Sequence, residues 1–486
     1  MTRTWLAPLL LATLWGVGPA LPGLLSGDLL GQPFTDLYPS VWGLWWFAEQ
    51  QPGLPTWTTA LAAPDGMGFY YSSPLKGWLA AIVMPWVGLT ATWNLLLVLA
   101  RVATVVMAHA AARAWGLSER GALVAAAVYG CAPFFQGFAV EGIVEGTDGW
   151  ALALWLWAVG RRRLGWAGFG FALTVVSSWY MAATACVLAV LIGPRAWAGA
   201  AIGLALASPA LHGFLGAFPD RAPLDSATRV AMGSSFSIAA PGLSEGLQPF
   251  AKTSWVGVLA PVTALLAVRR KLAVAGALLL LVVLSTGMGP HYEVPPFSSL
   301  RFPYRFHAGT LACLALLAGV TADRWRRGAW LAPLIALEGL LLSPIEPILP
   351  TAVAAVPALY ADAGSVVLDV PGPVAMPPGT VNRSRPRARW FLYAQTAHDH
   401  ATPWRPDFNA VGVPSAQDGL DAVRALDPLT GLDAPTRLDL PTAIDSVMLH
   451  HRGLGRRLRT ARTLLEAEGW VLHGRDGERT LYRRAP

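Results

Sequence analysis

The chain has 486 residues, 54% of them hydrophobic and 13% charged, with a mean hydropathy of +0.46. So much apolar side chain with so little charge excludes a soluble globular protein of this length and identifies a membrane protein. Its net charge of +7 reflects basic residues lying between hydrophobic runs, with no basic patch interleaved with aromatics, so no nucleic-acid partner is expected.

In chain order, apolar stretches run from Trp5 to about residue 345, separated by short basic or Gly/Pro-rich connections. A spanning helix needs roughly 20 apolar residues. That measure places cores near 5–25, 91–112, 120–138, 148–160, 164–177, 180–193, 196–216, 254–268, 272–288, 304–322 and 329–345, about eleven spans in all. The first is read as an uncleaved span, because Pro19 and Pro22 crowd any signal-peptide cleavage site near Ala20. The stretch 74–115 has two readings. Either 74–89 is a half-helix preceding a span at 91–112, or 77–100 spans and 101–115 lies along the cytoplasmic face. Under the first reading Arg101 falls in mid-span, where an unpaired charge is expensive.

Residues 1–345 hold 20 Lys and Arg and 14 Asp and Glu. Thirteen of the basic residues share one side in short loops, which makes that side cytoplasmic. Eleven of the acids face the other way, among them Asp28, Asp36, Glu141, Glu145 and Asp148. An odd number of spans puts the C-terminal region outside as well, in what is expected to be a bacterial inner membrane with the N-terminus cytoplasmic. Hydropathy drops after residue 345, so the domains are 1–345, a transmembrane domain with acidic outer loops, and 346–486, a small soluble α/β domain. The latter has 16 Arg, 15 acids and no Lys, with strands at Ser365–Val370 and Arg479–Arg483 and helices at 417–426 and 456–468. The Pro- and Arg-rich segment 371–389 reads as a linker.

Three constellations can carry chemistry. The first outer loop, Gly27–Gln50, holds Asp28 and Asp36 just outside the first span, and its segment 38–49 is aromatic and amphipathic. A carboxylate there suits a general base acting on a substrate hydroxyl; the plainer reading is a helix cap or a solvated loop. The second loop, V-E-G-I-V-E-G-T-D-G-W from Val140 to Trp150, packs Glu141, Glu145 and Asp148 into a short connection. Acids so placed bind a cation such as Mg or Mn, pair with Arg or stay hydrated, and Asp148 suits a helix cap equally. The third, S-S-L-R-F-P-Y-R-F-H from Ser298 to His307, sets Arg301 and Arg305 one helical turn apart. Their planar, permanently charged forks suit a lipid-linked phosphate, a role Lys76 can share; the alternative is interfacial snorkelling. His398, Asp399, His400 and Asp407 resemble a metal cluster by composition, but no i, i+4 His pair or Cys partner supports it. No Walker loop, dinucleotide fingerprint or G-x-S-x-G elbow is present.

The stretch from Asp36 to Gly160 resembles the polytopic GT-C glycosyltransferases, in particular bacterial membrane proteins of the mannosyltransferase-like and dolichyl-phosphate-mannose transferase-like set. The resemblance rests on the acid followed by W-G-L-W-W (Trp42–Trp46), P-D-G (Pro64–Gly66), S-P-L-K-G (Ser73–Gly77), W-N-L-L-L (Trp93–Leu97) and C-A-P-F-F (Cys131–Phe135). The R-F-P-Y-R-F segment and the C-terminal domain are similar to the tail of such proteins. The resemblance implies inverting sugar transfer from a polyprenyl-phosphate donor at the outer face, with the donor's lipid tail between helices. Envelope glycan, lipid or protein would be the acceptor, and a first-loop acid the base. Asp36 matches the acid before the Trp motif and Asp28 the position just after the first span. Where relatives often carry a polar Gly-His type loop after the C-A-P-F-F motif, this chain has Glu141 to Asp148. A transporter or flippase for a lipid-linked or polar substrate, or a non-catalytic scaffold of the same fold, are the alternatives.

Overall fold

The computed structural model describes residues 5–33, 36–51, 53–217, 255–293, 302–372, 385–404 and 420–485. They form two compact units, Met1–Gln32 with Tyr71–Ala352, and Pro33–Tyr70 with Val353–Pro486. The break expected at 345/346 therefore falls at 352/353. In addition, most of the first outer loop leaves the helical unit and joins the C-terminal residues.

The first unit is helical because its apolar runs are long, rich in Ala and Leu, and punctuated by glycine, proline and arginine. Four of its helical stretches are long and apolar enough to cross a membrane: Leu6–Ser26, Leu89–Ala114, Glu119–Glu141 and Pro303–Ala322. The bent pair Pro194–Leu206 and Ser208–Gly216, at 61°, adds a fifth if it counts as one span. Helices at Leu164–Ser177, Trp179–Ile192, Leu272–Ser285 and Gly328–Leu341 coincide with expected cores but are shorter than a bilayer needs. Among the described residues the expected count of about eleven thus reduces to four or five full-length candidates.

Of the two readings of 74–115, the helix boundaries follow the first. A helix covers Pro74–Val87, Gly88 breaks it at a φ of +78° that favours glycine, and a second helix runs Leu89–Ala114. Arg101 is buried in that second helix. Its guanidinium donates to the carbonyls of Trp15, at 2.6 Å, and Gly16, at 3.3 Å, at the end of the helix Leu6–Gly16, and also to Gln136 Oε1. Glu338 is likewise structural, accepting backbone N–H groups from Val258 at 2.8 Å and Leu259 at 3.1 Å where the helix Leu259–Leu265 begins. The helices Glu119–Gly130 and His307–Ala322 approach so closely that a Cβ on Gly121 would lie 2.6 Å from the Gly319 carbonyl. Asp323 seals this contact by accepting from the Ser118 and Gly121 N–H groups, at 2.9 and 2.8 Å.

The second unit contains the helix Leu37–Glu49, a strand pair Trp57–Thr58 with Met67–Gly68, and a four-stranded mixed sheet. In the sheet Val367–Val370 runs parallel to Ser446–His450, which pairs antiparallel with Arg479–Arg484, which in turn pairs antiparallel with Trp470–Arg475. Both faces of the sheet are covered. Leu368, Val370, Val447, Leu449 and Tyr482 pack on one face with Leu454, Ala461 and Leu465. Val367, Met448 and Leu481 pack on the other with Tyr360 and Ala394. The expected strands and the helix 456–468 are found at Val367–Val370, Arg479–Arg484 and Leu458–Ala467, while 417–426 contracts to Asp421–Ala425. The linker reading of 371–389 is corrected: a helix, Arg385–His398, starts inside it, and 373–384 lies outside the described residues. The segment 60–63 belongs to this unit through backbone bonds, Ala62 N to Trp404 O, Ala63 N to Thr402 O and Thr402 N to Ala60 O.

Candidate active site

The second acidic loop is held by two buried cations. It begins where the helix Pro133–Glu141 ends and closes at the helix Gly149–Gly160. Two of its glycines are required by crowding: a Cβ on Gly146 would sit 2.2 Å from the Phe138 ring, and one on Gly149 2.5 Å from Phe135. Lys76, in the first turns of the helix Pro74–Val87, enters from the side. Its ammonium group lies 2.8 Å from Val144 O, 2.5 Å from Thr147 Oγ1 and 3.1 Å from Asp148 Oδ1. An ammonium has three donors, and these contacts use all three. Asp148 also accepts from Trp150 Nε1 at 3.1 Å. It occupies the position preceding the helix Gly149–Gly160 yet makes no capping bond, its carboxylate being turned to Lys76. Burial pushes the Asp148 carboxyl above its ordinary value, against the pull of Lys76, Trp150 and Ser73.

Glu145 takes the other cation. Arg305 Nη1 donates to Glu145 Oε1 at 2.7 Å, and Ser72 Oγ donates to Oε2 at 3.0 Å. Burial would raise the Glu145 carboxyl, but the Arg305 guanidinium and these hydrogen bonds overcome it and hold the group below the usual carboxylate range. The guanidinium lies over the rings of Tyr180, at 4.4 Å, and Phe302, at 4.8 Å. Its Nε is buried and without a hydrogen-bond partner among the described residues. Arg305 is therefore buried and stacked, not snorkelling. Arg301 lies outside the described residues. Glu141 is buried at the C-terminal end of the helix Pro133–Glu141.

The start of the first loop is clamped by the W-N pair of the W-N-L-L-L motif. Asn94 Oδ1 accepts from Leu30 N at 2.9 Å, Asn94 Nδ2 donates to Asp28 O at 2.8 Å, and Trp93 Nε1 donates to Leu30 O at 2.9 Å. Leu29 and Leu30 pair antiparallel with Ala352 and Thr351, and Gln32 N donates to Val140 O at 2.8 Å. Asp28 is thus fixed through its backbone, within the first unit.

Asp36 belongs to the second unit. It stands immediately before the helix Leu37–Glu49 and, like Asp148, makes no side-chain cap. Its Oδ1 lies 2.7 Å from Arg389 Nη2 on the helix Arg385–His398. The plain reading of Asp36 as a helix cap is thus set aside. The same two helices meet again at Tyr38 and Tyr393, whose ring centroids are 5.1 Å apart and whose hydroxyls donate to Val353 O and Ala354 O.

Among the described residues no group of three or more His, Cys, Asp or Glu comes together to hold a metal ion. Glu145 and Asp148 each spend their charge on a buried cation, so these carboxylates do not fit the expected divalent ion. His398 accepts from the His400 N–H through Nδ1 at 3.0 Å and stacks on Tyr360, while Asp407 lies outside the described residues. Sequence reasoning missed Arg389, Trp93 and Asn94 as site-forming residues. Pro386, in the first turn of its helix, was the available signal for a helix carrying Arg389.

No protein family and no curated protein sequence matches the chain. Solved structures do. Over 98% of its length the chain is similar to the arabinofuranosyltransferase AftD from Mycobacteria, with a TM-score of 0.60 and 17% identity. Over 98% it is also similar to the oligosaccharyltransferase of Archaeoglobus fulgidus, with a TM-score of 0.51 and 13% identity. The chain spans 40% of the length of the first and 73% of the second. At these identities the likeness shows the fold alone, one that the chain shares over nearly its whole length with these two structures.

Proposed function

We propose that the chain is a membrane glycosyltransferase that moves a sugar from a polyprenyl-phosphate donor to an envelope glycan, lipid or protein acceptor at the outer membrane face, with inversion. The observation that supports this reading is the fold shared over 98% of the chain with an arabinofuranosyltransferase and an oligosaccharyltransferase, as the GT-C resemblance of the motifs implies. Asp36 is the preferred base and Asp28 the second choice. In the reaction the acceptor's nucleophilic oxygen or nitrogen bonds to the anomeric carbon from the face opposite the phosphate. Its proton passes to the Asp36 carboxylate, and the anomeric carbon–oxygen bond breaks with its electron pair leaving on polyprenyl phosphate.

Arg305, together with Arg301, is assigned to the lipid phosphate. Its stacked, planar fork still has donors beyond the Nη1 given to Glu145. Lys76, whose three donors all serve the second loop, supports the site by holding that loop and does not meet the phosphate directly. The N-terminus is assigned to the cytoplasm and the C-terminal domain to the outside; a reporter fused after Pro486 should be active only outside, and a cytoplasmic signal would reverse the assignment.

The test is to incubate the purified protein with candidate polyprenyl-phosphate sugars and an envelope extract, and to follow polyprenyl phosphate and the product linkage. Acceptor-dependent release with an inverted anomeric linkage is expected. Release with retention of configuration, or no release from any donor, would contradict the proposal.

A further inference from the structure

We propose that Arg389 is the positioning residue of the base, fixing one carboxylate oxygen of Asp36 so that the other points to the acceptor proton. This rests on the reading of Asp36 as the base. The geometry behind it is local to the second unit. Asp36 precedes a helix whose first turn offers unpaired N–H groups, and an aspartate there ordinarily caps them. Here the side chain forgoes the cap and meets Arg389 Nη2 through Oδ1 at 2.7 Å. The two partners differ in exposure: the Arg389 side chain is 13% exposed, the Asp36 side chain 41%. A guanidinium held inside the protein thus anchors a carboxylate that keeps an open face. That division suits a base, which needs a fixed orientation and an accessible oxygen, more than it suits a surface ion pair, in which both groups are wet and loosely held.

The anchor is itself anchored. Arg389 and Tyr393 stand one turn apart on the helix Arg385–His398, and Tyr393 packs on Tyr38, two residues beyond Asp36. The Tyr393 hydroxyl is tied to Ala354 O at 2.9 Å. Two contacts between the same pair of helices therefore set the position of the carboxylate, one through charge and one through packed rings inclined at 33°. Lysine, a point charge on a flexible stem, would keep the attraction without the rigid fork.

The experiment compares steady-state transfer by the full chain carrying Arg389→Ala, Arg389→Lys, Asp36→Asn or, as a surface control, Arg437→Ala. Arg389→Ala should lose about a hundredfold in kcat, the scale of a misplaced catalytic group. Its apparent KM for the donor should change by less than about threefold. Added guanidinium at a concentration that leaves the wild type folded should restore part of the loss, and Arg389→Lys should fall between alanine and wild type. Wild-type kcat in Arg389→Ala, with Asp36→Asn inactive, would overturn this inference alone. A raised KM at unchanged kcat would also overturn it, because the guanidinium would then be meeting the donor. So would a loss that neither guanidinium nor lysine relieves, the mark of a purely structural role. Full activity in Asp36→Asn would remove the base assignment itself, whatever Arg389 does.

Discussion

Lys76 and Asp148 lie 3.1 Å apart with side chains only 6% and 2% exposed, bridging the start of one helix and the start of another 72 positions later. A buried pair of this kind is costly to break because the survivor is left charged and unpaired. Lys76→Met should therefore destabilise the protein by roughly 3–5 kcal/mol. The double variant Lys76→Met with Asp148→Asn should recover part of that loss. Thermal melting of the detergent-solubilised protein checks both, and a double variant less stable than Lys76→Met would contradict the account.

The second pair in the same loop predicts a pH dependence. Glu145 titrates below its unfolded value because Arg305 and Ser72 overcome the effect of burial. A depressed folded pKa means stability that is present above the unfolded carboxylate value of roughly 4.3 and lost as pH falls through the folded one. Glu145→Gln should thus melt well below wild type at neutral pH, and the gap should close as the medium becomes strongly acidic. A gap independent of pH would place the stabilisation in packing instead of charge.

His398 predicts a second loss of stability on acidification, in the second unit and with burial as its cause. Burial lowers its pKa to about 4, with Asp369 opposing the shift and His400 adding to it. The folded state therefore keeps the ring neutral while the unfolded chain takes up a proton below roughly 6.5. Stability is full above that value and declines as pH falls towards 4, by about 3 kcal/mol at most. His398→Phe, which keeps a ring to stack on Tyr360, should flatten this decline in a melting series across pH 4–7. An unchanged slope would assign the decline to another group.

Asn94 predicts a local effect. Removing its amide leaves Leu30 N and Asp28 O without their partners, at a cost of about 1–3 kcal/mol for each group that stays buried. Asn94→Leu should make the segment from Gly27 to Gln32 more susceptible to limited proteolysis while the rest of the chain resists as before. Uniform susceptibility would show that Asn94 supports the whole unit.

The helical cores and the strand runs at Val367–Val370 and Arg479–Arg484 were legible because period and hydropathy act locally, whereas the stretch 74–115 kept two readings until the break at Gly88 separated its two helices. Partnership was not legible, because it is set by segments far apart in the chain. The acids of Val140–Trp150 left three readings open, and only the approach of Lys76 and Arg305 selects pairing. Arg101 and Glu338 bind backbone groups of neighbouring helices, and so serve packing. The segment Pro33–Tyr70 illustrates the same limit: its place with the C-terminal sheet rests on backbone bonds to residues 402–404, which no local pattern announces.

In the proposed reaction a first-loop aspartate, Asp36, takes the acceptor proton during sugar transfer from a lipid phosphate. The most direct measurement is polyprenyl phosphate release by purified wild type and by Asp36→Asn, with the same donor and envelope acceptor, after both are shown to be folded. The wild type should release polyprenyl phosphate and the variant should lose at least about a hundredfold, the range expected when a general base is removed. Release by Asp36→Asn at the wild-type rate would contradict this role for Asp36 and pass it to Asp28.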